Sequence, residues 1–141
     1  EVYRTGDDTS GRLWSRTRAY GVNTLAFRLC QNNAFYKIDA DCVGIIPGKI
    51  DWSLNRQWLE ILSVSGSPLF ISVKPDDITN SMKEDIKKAF FRNSGQKDKA
   101  EPLDWLYNNQ PQCWLINGEK REYDFVENSY PELLSGSTQS Y

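Results

Sequence analysis

The chain has 141 residues with a formal net charge of −2 and an isoelectric point near 5.2, a length that supports one ordinary domain and excludes a complete (β/α)8 barrel of about 250 residues. Its 17 basic residues are scattered apart from Arg12, Arg16 and Arg18, which read as a solvated helix face, so nucleic-acid binding is not indicated. Cys30, Cys42 and Cys113 lack metal-ligand spacing and there is no His, which leaves no basis for a disulfide framework, a zinc site or a His-based triad.

In chain order, Asp8 to Gly11 reads as a polar turn, followed by a segment of helical length carrying Leu13, Trp14, Tyr20, Val22, Leu25, Ala26, Phe27 and Leu29. Ala34 to Ile38 is predicted as a strand. It leads into Asp39-Ala-Asp41-Cys42 and a turn marked by Pro47 and Gly48. Asp51 is placed to cap the next helix, whose apolar face is Leu54, Trp58, Ile61 and Leu62, with Asn55, Arg56 and Glu60 on other faces. Ser65-Gly66 ends it. Pro68 to Val73 is a near-continuous apolar strand, the pattern of a parallel strand covered on both faces. Thr79 then caps a helix with Met82, Ile86, Ala89 and Phe90 on one side.

Helices and strands thus alternate, which predicts βαβ units and a parallel sheet. Residues 93–102 read as a polar linker, residues 103–134 as a β segment with a hairpin at Asn117-Gly118, and residues 135–141 as a poorly ordered tail. The chain opens inside a strand-and-loop unit, and the expectation is that it is the later part of a larger protein.

Asp39 and Asp41 stand at positions i and i+2 at the end of an apolar strand. In a continued strand they would face the same side of the sheet, where a pair of acids suits a hydroxyl-rich ligand, a cation or acid–base chemistry. The plain alternative is that both satisfy loop amides. Five Trp and seven Tyr add candidate stacking surfaces at Trp52, Trp58, Trp105 and Trp114, although Trp58 falls on an apolar helix face and reads as core.

Taken together, Arg4-Thr-Gly-Asp-Asp8, Asp39-Ala-Asp41-Cys42, Trp52 and Ser67-Pro-Leu-Phe-Ile-Ser72 resemble the last third of the α-galactosidase (melibiase-like) barrel glycosidases. In that family a sixth strand ends in an Arg followed four residues later by the acid/base Asp, a seventh ends in Asp-Pro-Asp-Met, and an eighth reads like Ala-Pro-Leu. Here Ala40 replaces the Pro and Cys42 the Met, while Trp52 and Pro68 follow at the family's spacing. The resemblance covers residues 4–91.

The fold it implies is α/β, with residues 1–92 forming the last three strand–helix units of a TIM-type (β/α)8 barrel. The function it implies is a retaining glycoside hydrolase acting on terminal α-galactosides or related sugars, needing no metal or cofactor. Asp8 becomes the general acid/base, with Asp7 beside it as the competing choice. Arg4, Asp41 and Cys42 line the sugar pocket, with Asp39 as a further contact or a structural acid. The family's nucleophile lies on an earlier strand for which this chain has no counterpart, so the resemblance implies that another segment or chain completes the barrel. An extracellular or periplasmic placement is what a glycan-degrading role implies. Two other classes stand beside this one: a carbohydrate-binding protein that keeps the pocket without the chemistry, and a small α/β regulatory domain whose acids hold Mg²⁺.

Overall fold

A computed structural model describes residues 1–95 and 99–125. Residues 135–141, expected to be a poorly ordered tail, and residues 126–134 of the expected hairpin segment lie outside the described residues. Strand β1 (Val2–Arg4) is followed by a long helical stretch: α1 (Trp14–Arg16), a π-helical section over Thr17–Val22, α2 (Asn23–Arg28) and a closing 3-10 turn, Leu29–Gln31. Next come β2 (Lys37–Asp39), β3 (Cys42–Gly44), α3 (Trp52–Val64), β4 (Phe70–Ser72) and α4 (Asn80–Gly95). The last elements are β5 (Ala100–Pro102), β6 (Cys113–Ile116) and β7 (Glu119–Glu122).

β1 pairs parallel with β2, Arg4 opposite Asp39. β3 pairs parallel with β4, Gly44 opposite Ser72. Each pair is joined through a helical crossover, as parallel neighbours require, and β2 runs into β3 through only Ala40 and Asp41. The expected parallel units are therefore present, but as two short ladders rather than one. β5, β6 and β7 form a separate antiparallel sheet.

Local signals account for much of this. Asp51 caps α3, its carboxylate accepting from the Ser53 N–H at 2.8 Å, and the Thr79 hydroxyl accepts from the Met82 N–H at the start of α4. Asn117 and Gly118, at φ of 52° and 86°, make the two-residue turn between β6 and β7 that an Asn-Gly pair favours.

Several expectations are corrected. The strand expected from Ala34 begins only at Lys37. Asn33 takes a left-handed conformation and its N–H donates forward to the Tyr36 carbonyl, turning Phe35 out into solvent. Within the expected linker at 93–102, the described residues 93–95 belong to α4 and residues 100–102 form β5, which pairs with β6. Asn55, expected on an outer face of α3, is buried because its Nδ2 donates to the Gly44 carbonyl at 2.8 Å. Arg18 is buried too, its Nη1 donating to Gln110 Oε1 at 2.7 Å, since the π-helical section turns Thr17, Arg18, Gly21 and Val22 toward the interior. Finally, β4 is not covered on both faces, because Phe70 and Ser72 are exposed.

The core is continuous through both parts of the chain. Trp14, Leu25, Ile38, Val43, Trp58 and Leu62 pack in one cluster with Trp114 and Phe125. The Trp14 and Phe125 rings lie 5.9 Å apart, the Asp124 N–H donates to Gln57 on α3 at 2.6 Å, and Arg121 pairs with Glu60. The C-terminal sheet is thereby fastened to α1 and α3 rather than hung from a tether.

Candidate functional site

The site lies where β1 ends beside the junction of β2 and β3. One more ladder bond follows Arg4, from the Thr5 N–H to the Asp39 carbonyl at 2.9 Å, and the chain then turns through Gly6, Asp7 and Asp8. The two acids of that turn take different partners. Asp7 Oδ1 accepts the Asp8 N–H at 2.7 Å and its Oδ2 lies 3.0 Å from Arg16 Nη2. The Asp8 N–H first, and then Arg16, hold the Asp7 carboxyl below its usual range despite partial desolvation. Asp7 is thus committed to the helix behind it. Asp8 faces the other way, its Oδ1 3.1 Å from Arg4 Nη2.

The same Arg4 nitrogen lies 3.0 Å from Asp41 Oδ2. One guanidinium therefore joins the acid that follows β1 to the acid that follows β2. Desolvation alone would make Arg4 less basic, but Asp41, then Asp8, outweigh it and leave the group more basic than usual. Side-chain exposure falls from 60% at Asp8 through 47% at Arg4 to 16% at Asp41, so the cluster opens to solvent on the Asp8 side.

Asp41 is not held as strand geometry alone would hold it. Its φ of 69° breaks the strand, and its N–H folds back onto Asp39 Oδ1 at 2.9 Å. The expected pair of acids facing one side of a continued strand is corrected accordingly: Asp39 supports the turn and reaches Arg4 only through its charge, while Asp41 pairs with Arg4 directly. The left-handed conformation is stabilised by contacts distant in sequence. Asp41 Oδ2 accepts the Thr9 N–H at 2.7 Å and lies 3.0 Å from the Thr9 hydroxyl, which also lies 2.7 Å from the Cys42 carbonyl. Thr9 is almost fully buried. It is the residue that sequence reasoning missed, and a lone Thr in a polar turn carries no signal that would have found it.

The loop after β1 is pressed onto β3 at two glycines. A Cβ on Gly44 would stand 2.3 Å from the Ser10 carbonyl, and one on Gly11 would stand 2.2 Å from the Gly44 carbonyl oxygen. With Gly11 itself at φ of +80°, the Asp7-to-Gly11 loop has little freedom. Its contacts bring Asp8 within reach of Arg4.

Cys42 sits at the inner side of this cluster. Burial first, then the negative charges of Asp41 and Asp8, push its thiol up to about 11. Its folded value is raised above that of the unfolded chain, so this burial favours folding below about pH 9 and loses that effect as the pH rises toward about 11. Alkylation by iodoacetamide at pH 8 should therefore modify the exposed Cys30 and spare Cys42, whose rate should climb about tenfold per pH unit above that. Equal labelling of the two at pH 8, read by peptide mass spectrometry, would contradict the placement.

Of the aromatic candidates, Trp58 is core and donates from Nε1 to the Cys42 carbonyl at 3.2 Å. Trp114 is also fully buried, donating to Pro111. Trp52 donates to Asp85 on α4 at 3.0 Å and flanks a cavity of 510 Å³ built from the loops after β3 and β4. A smaller hollow of 290 Å³ adjoins Arg4 on its other flank, lined by Tyr3, Thr5, Arg28 and Tyr36. Among the described residues, no three or more His, Cys, Asp or Glu side chains are grouped to hold a metal ion.

Compared with known proteins, the chain matches no protein-family model, no curated protein and no solved structure.

Proposed function

We propose that this chain forms the acid/base-bearing part of a retaining glycoside hydrolase acting on terminal α-galactosides or related sugars. The observation that carries the reading is the bridge from Arg4 to both Asp8 and Asp41, across the C-terminal ends of neighbouring parallel strands. In parallel α/β folds, ligands meet side chains at those ends. The order Arg, then Asp four residues on, then Asp-x-Asp on the next strand is also what the resemblance to melibiase-like barrels requires.

In this reading Asp8 gives its proton to the leaving glycosidic oxygen and takes one from water in the second step. The nucleophile comes from a strand outside these residues, held about 5 Å from Asp8 as retention demands. Arg4 fixes the Asp8 carboxyl and offers its remaining N–H groups to sugar hydroxyls. Asp41 positions Arg4 and Thr9 through Oδ2, leaving Oδ1 for a hydroxyl. Cys42 lines the inner wall. Val2, Tyr3 and Phe70, exposed on β1 and β4, leave both faces of these short strands open to the further strands and helices of a barrel, which supports completion by another segment or chain.

The test is product stereochemistry in the complete protein: proton NMR of an α-galactoside digest should show the α-anomer of galactose first, with the β-anomer appearing only by mutarotation. Release of the β-anomer first would overturn the double displacement.

Two observations favour a second reading, a sugar-binding protein without the chemistry. Asp41 Oδ2 is already occupied by Thr9 and Arg4, and Asp8 is largely exposed, whereas an acid catalyst is commonly tuned by burial. Saturable galactoside binding with no turnover in the complete protein would select that reading.

A further inference from the structure

A cavity of 640 Å³ lies away from the cluster just described. It is bordered by Asn32 and Asn33, which lead into β2, and by Ser65 and Gly66, which lead toward β4, so it opens at the N-terminal ends of β2 and β4, whereas Asp41 follows the C-terminal end of β2. Its volume is that of a small-molecule site.

Its walls are of two kinds. Phe27 and Trp105 meet edge to face, with ring centroids 5.8 Å apart and planes at 81°. Trp105 is 45% exposed yet firmly placed. The carboxylate of Asp104 accepts the Cys113 N–H at 3.0 Å and the Gln112 N–H at 3.1 Å, and lies 3.3 Å from Asn108 Nδ2, pinning the turn that presents Trp105. Opposite in character are Lys99 and Glu101. They flank the buried Ala100 at positions i and i+2 of the β5 segment and both line the cavity. Neither side chain makes a hydrogen bond or ion pair among the described residues.

An apolar, pre-set aromatic platform beside one uncommitted donor and one uncommitted acceptor fits a ligand with an apolar face and hydroxyls at its rim. One cation and one anion together favour a neutral molecule over an ion. We propose that this cavity is a saccharide-binding site separate from the Arg4–Asp8–Asp41 cluster. A pyranose packs its C–H face on Trp105, donates hydroxyls to Glu101 and accepts from Lys99. The site stands on its own residues and does not require the hydrolase reading.

The experiment is a titration of the ¹⁵N-labelled chain with raffinose, with the Trp105 indole signal assigned by its absence from Trp105→Phe. Saturable shifts are expected for that indole and for the amides of Asn33, Lys99 and Glu101 below about 50 mM, a weak affinity of only a few kcal/mol. Trp105→Ala should weaken binding at least about tenfold, and Glu101→Gln should weaken it while keeping the indole shift. No saturable shift at these signals, an unchanged titration in Trp105→Ala, or saturation by phenylacetate but not raffinose would overturn the proposal. Shifts at the Thr9 and Asp41 amides report the other cluster independently, so failure of either reading is distinguishable from failure of the other.

Discussion

Asp8→Asn in the complete protein should lower kcat/KM for an α-galactoside with a poor alkoxide leaving group by about 10²–10⁴-fold, the usual contribution of a positioned general acid. The same change should cost an activated aryl galactoside less than about tenfold, because a good leaving group departs without a proton. The asymmetry follows from what the substitution removes. An amide is close in size to the carboxylate and keeps an oxygen facing Arg4, whose guanidinium stands 3.1 Å away, so binding is largely retained while proton delivery is lost. kcat/KM is the proper quantity, since it reports the steps through the first bond cleavage and is blind to hydrolysis of the glycosyl-enzyme. Asp7→Asn serves as the control. Its carboxylate faces Arg16 and the Asp8 N–H, so its effect should be small and alike for both substrates. Equal, small effects of Asp8→Asn on both substrates would remove Asp8 from the acid role.

Gly44→Ala should unfold the chain or destabilise it by about 3 kcal/mol or more, at the upper end of what overpacking costs. The added methyl would stand 2.3 Å from the carbonyl carbon and oxygen of Ser10 and 2.5 Å from the Gly11 nitrogen, all backbone atoms with no rotamer by which to retreat. On the other side of Gly44, its carbonyl accepts from the buried Asn55, so the strand cannot move away without leaving a buried amide unpaired. Gly48→Ala is the comparison. There the space around the new methyl is open but φ is +71°, so the cost is the conformational one of about 1 kcal/mol. Urea midpoints of the two variants separate steric from conformational strain. A Gly44→Ala midpoint equal to that of Gly48→Ala would mean that the loop over β3 yields easily and does not hold Asp8 in place.

What could be read from the sequence was local. Asp51, Thr79 and the Asn117-Gly118 pair act on backbone groups within three residues of themselves, and the Trp58 face of α3 follows from helical spacing. The features that escaped depend on partners far along the chain. Asp41 leaves the strand conformation where Thr9, thirty-two residues away, binds its carboxylate. β5 exists by pairing with β6 across the segment between them, and Asn55 turns inward for a carbonyl of β3. For the site, the sequence placed Arg4, Asp8 and Asp41 in one group, and the structure brings those three together. Asp39 stands beside them opposite Arg4 and acts on it only through its charge, because an Asp two residues before a left-handed residue has a nearer backbone N–H to satisfy.

The acid role of Asp8 is tested most directly by a crystal structure of the complete protein carrying Asp8→Asn with an intact α-galactoside bound. The glycosidic oxygen should lie within about 3.2 Å of the side chain at position 8, with galactose hydroxyls on Arg4 and on Asp41 Oδ1. A galactoside bound elsewhere, with the Arg4 bridge between positions 8 and 41 undisturbed and solvent-filled, would contradict it.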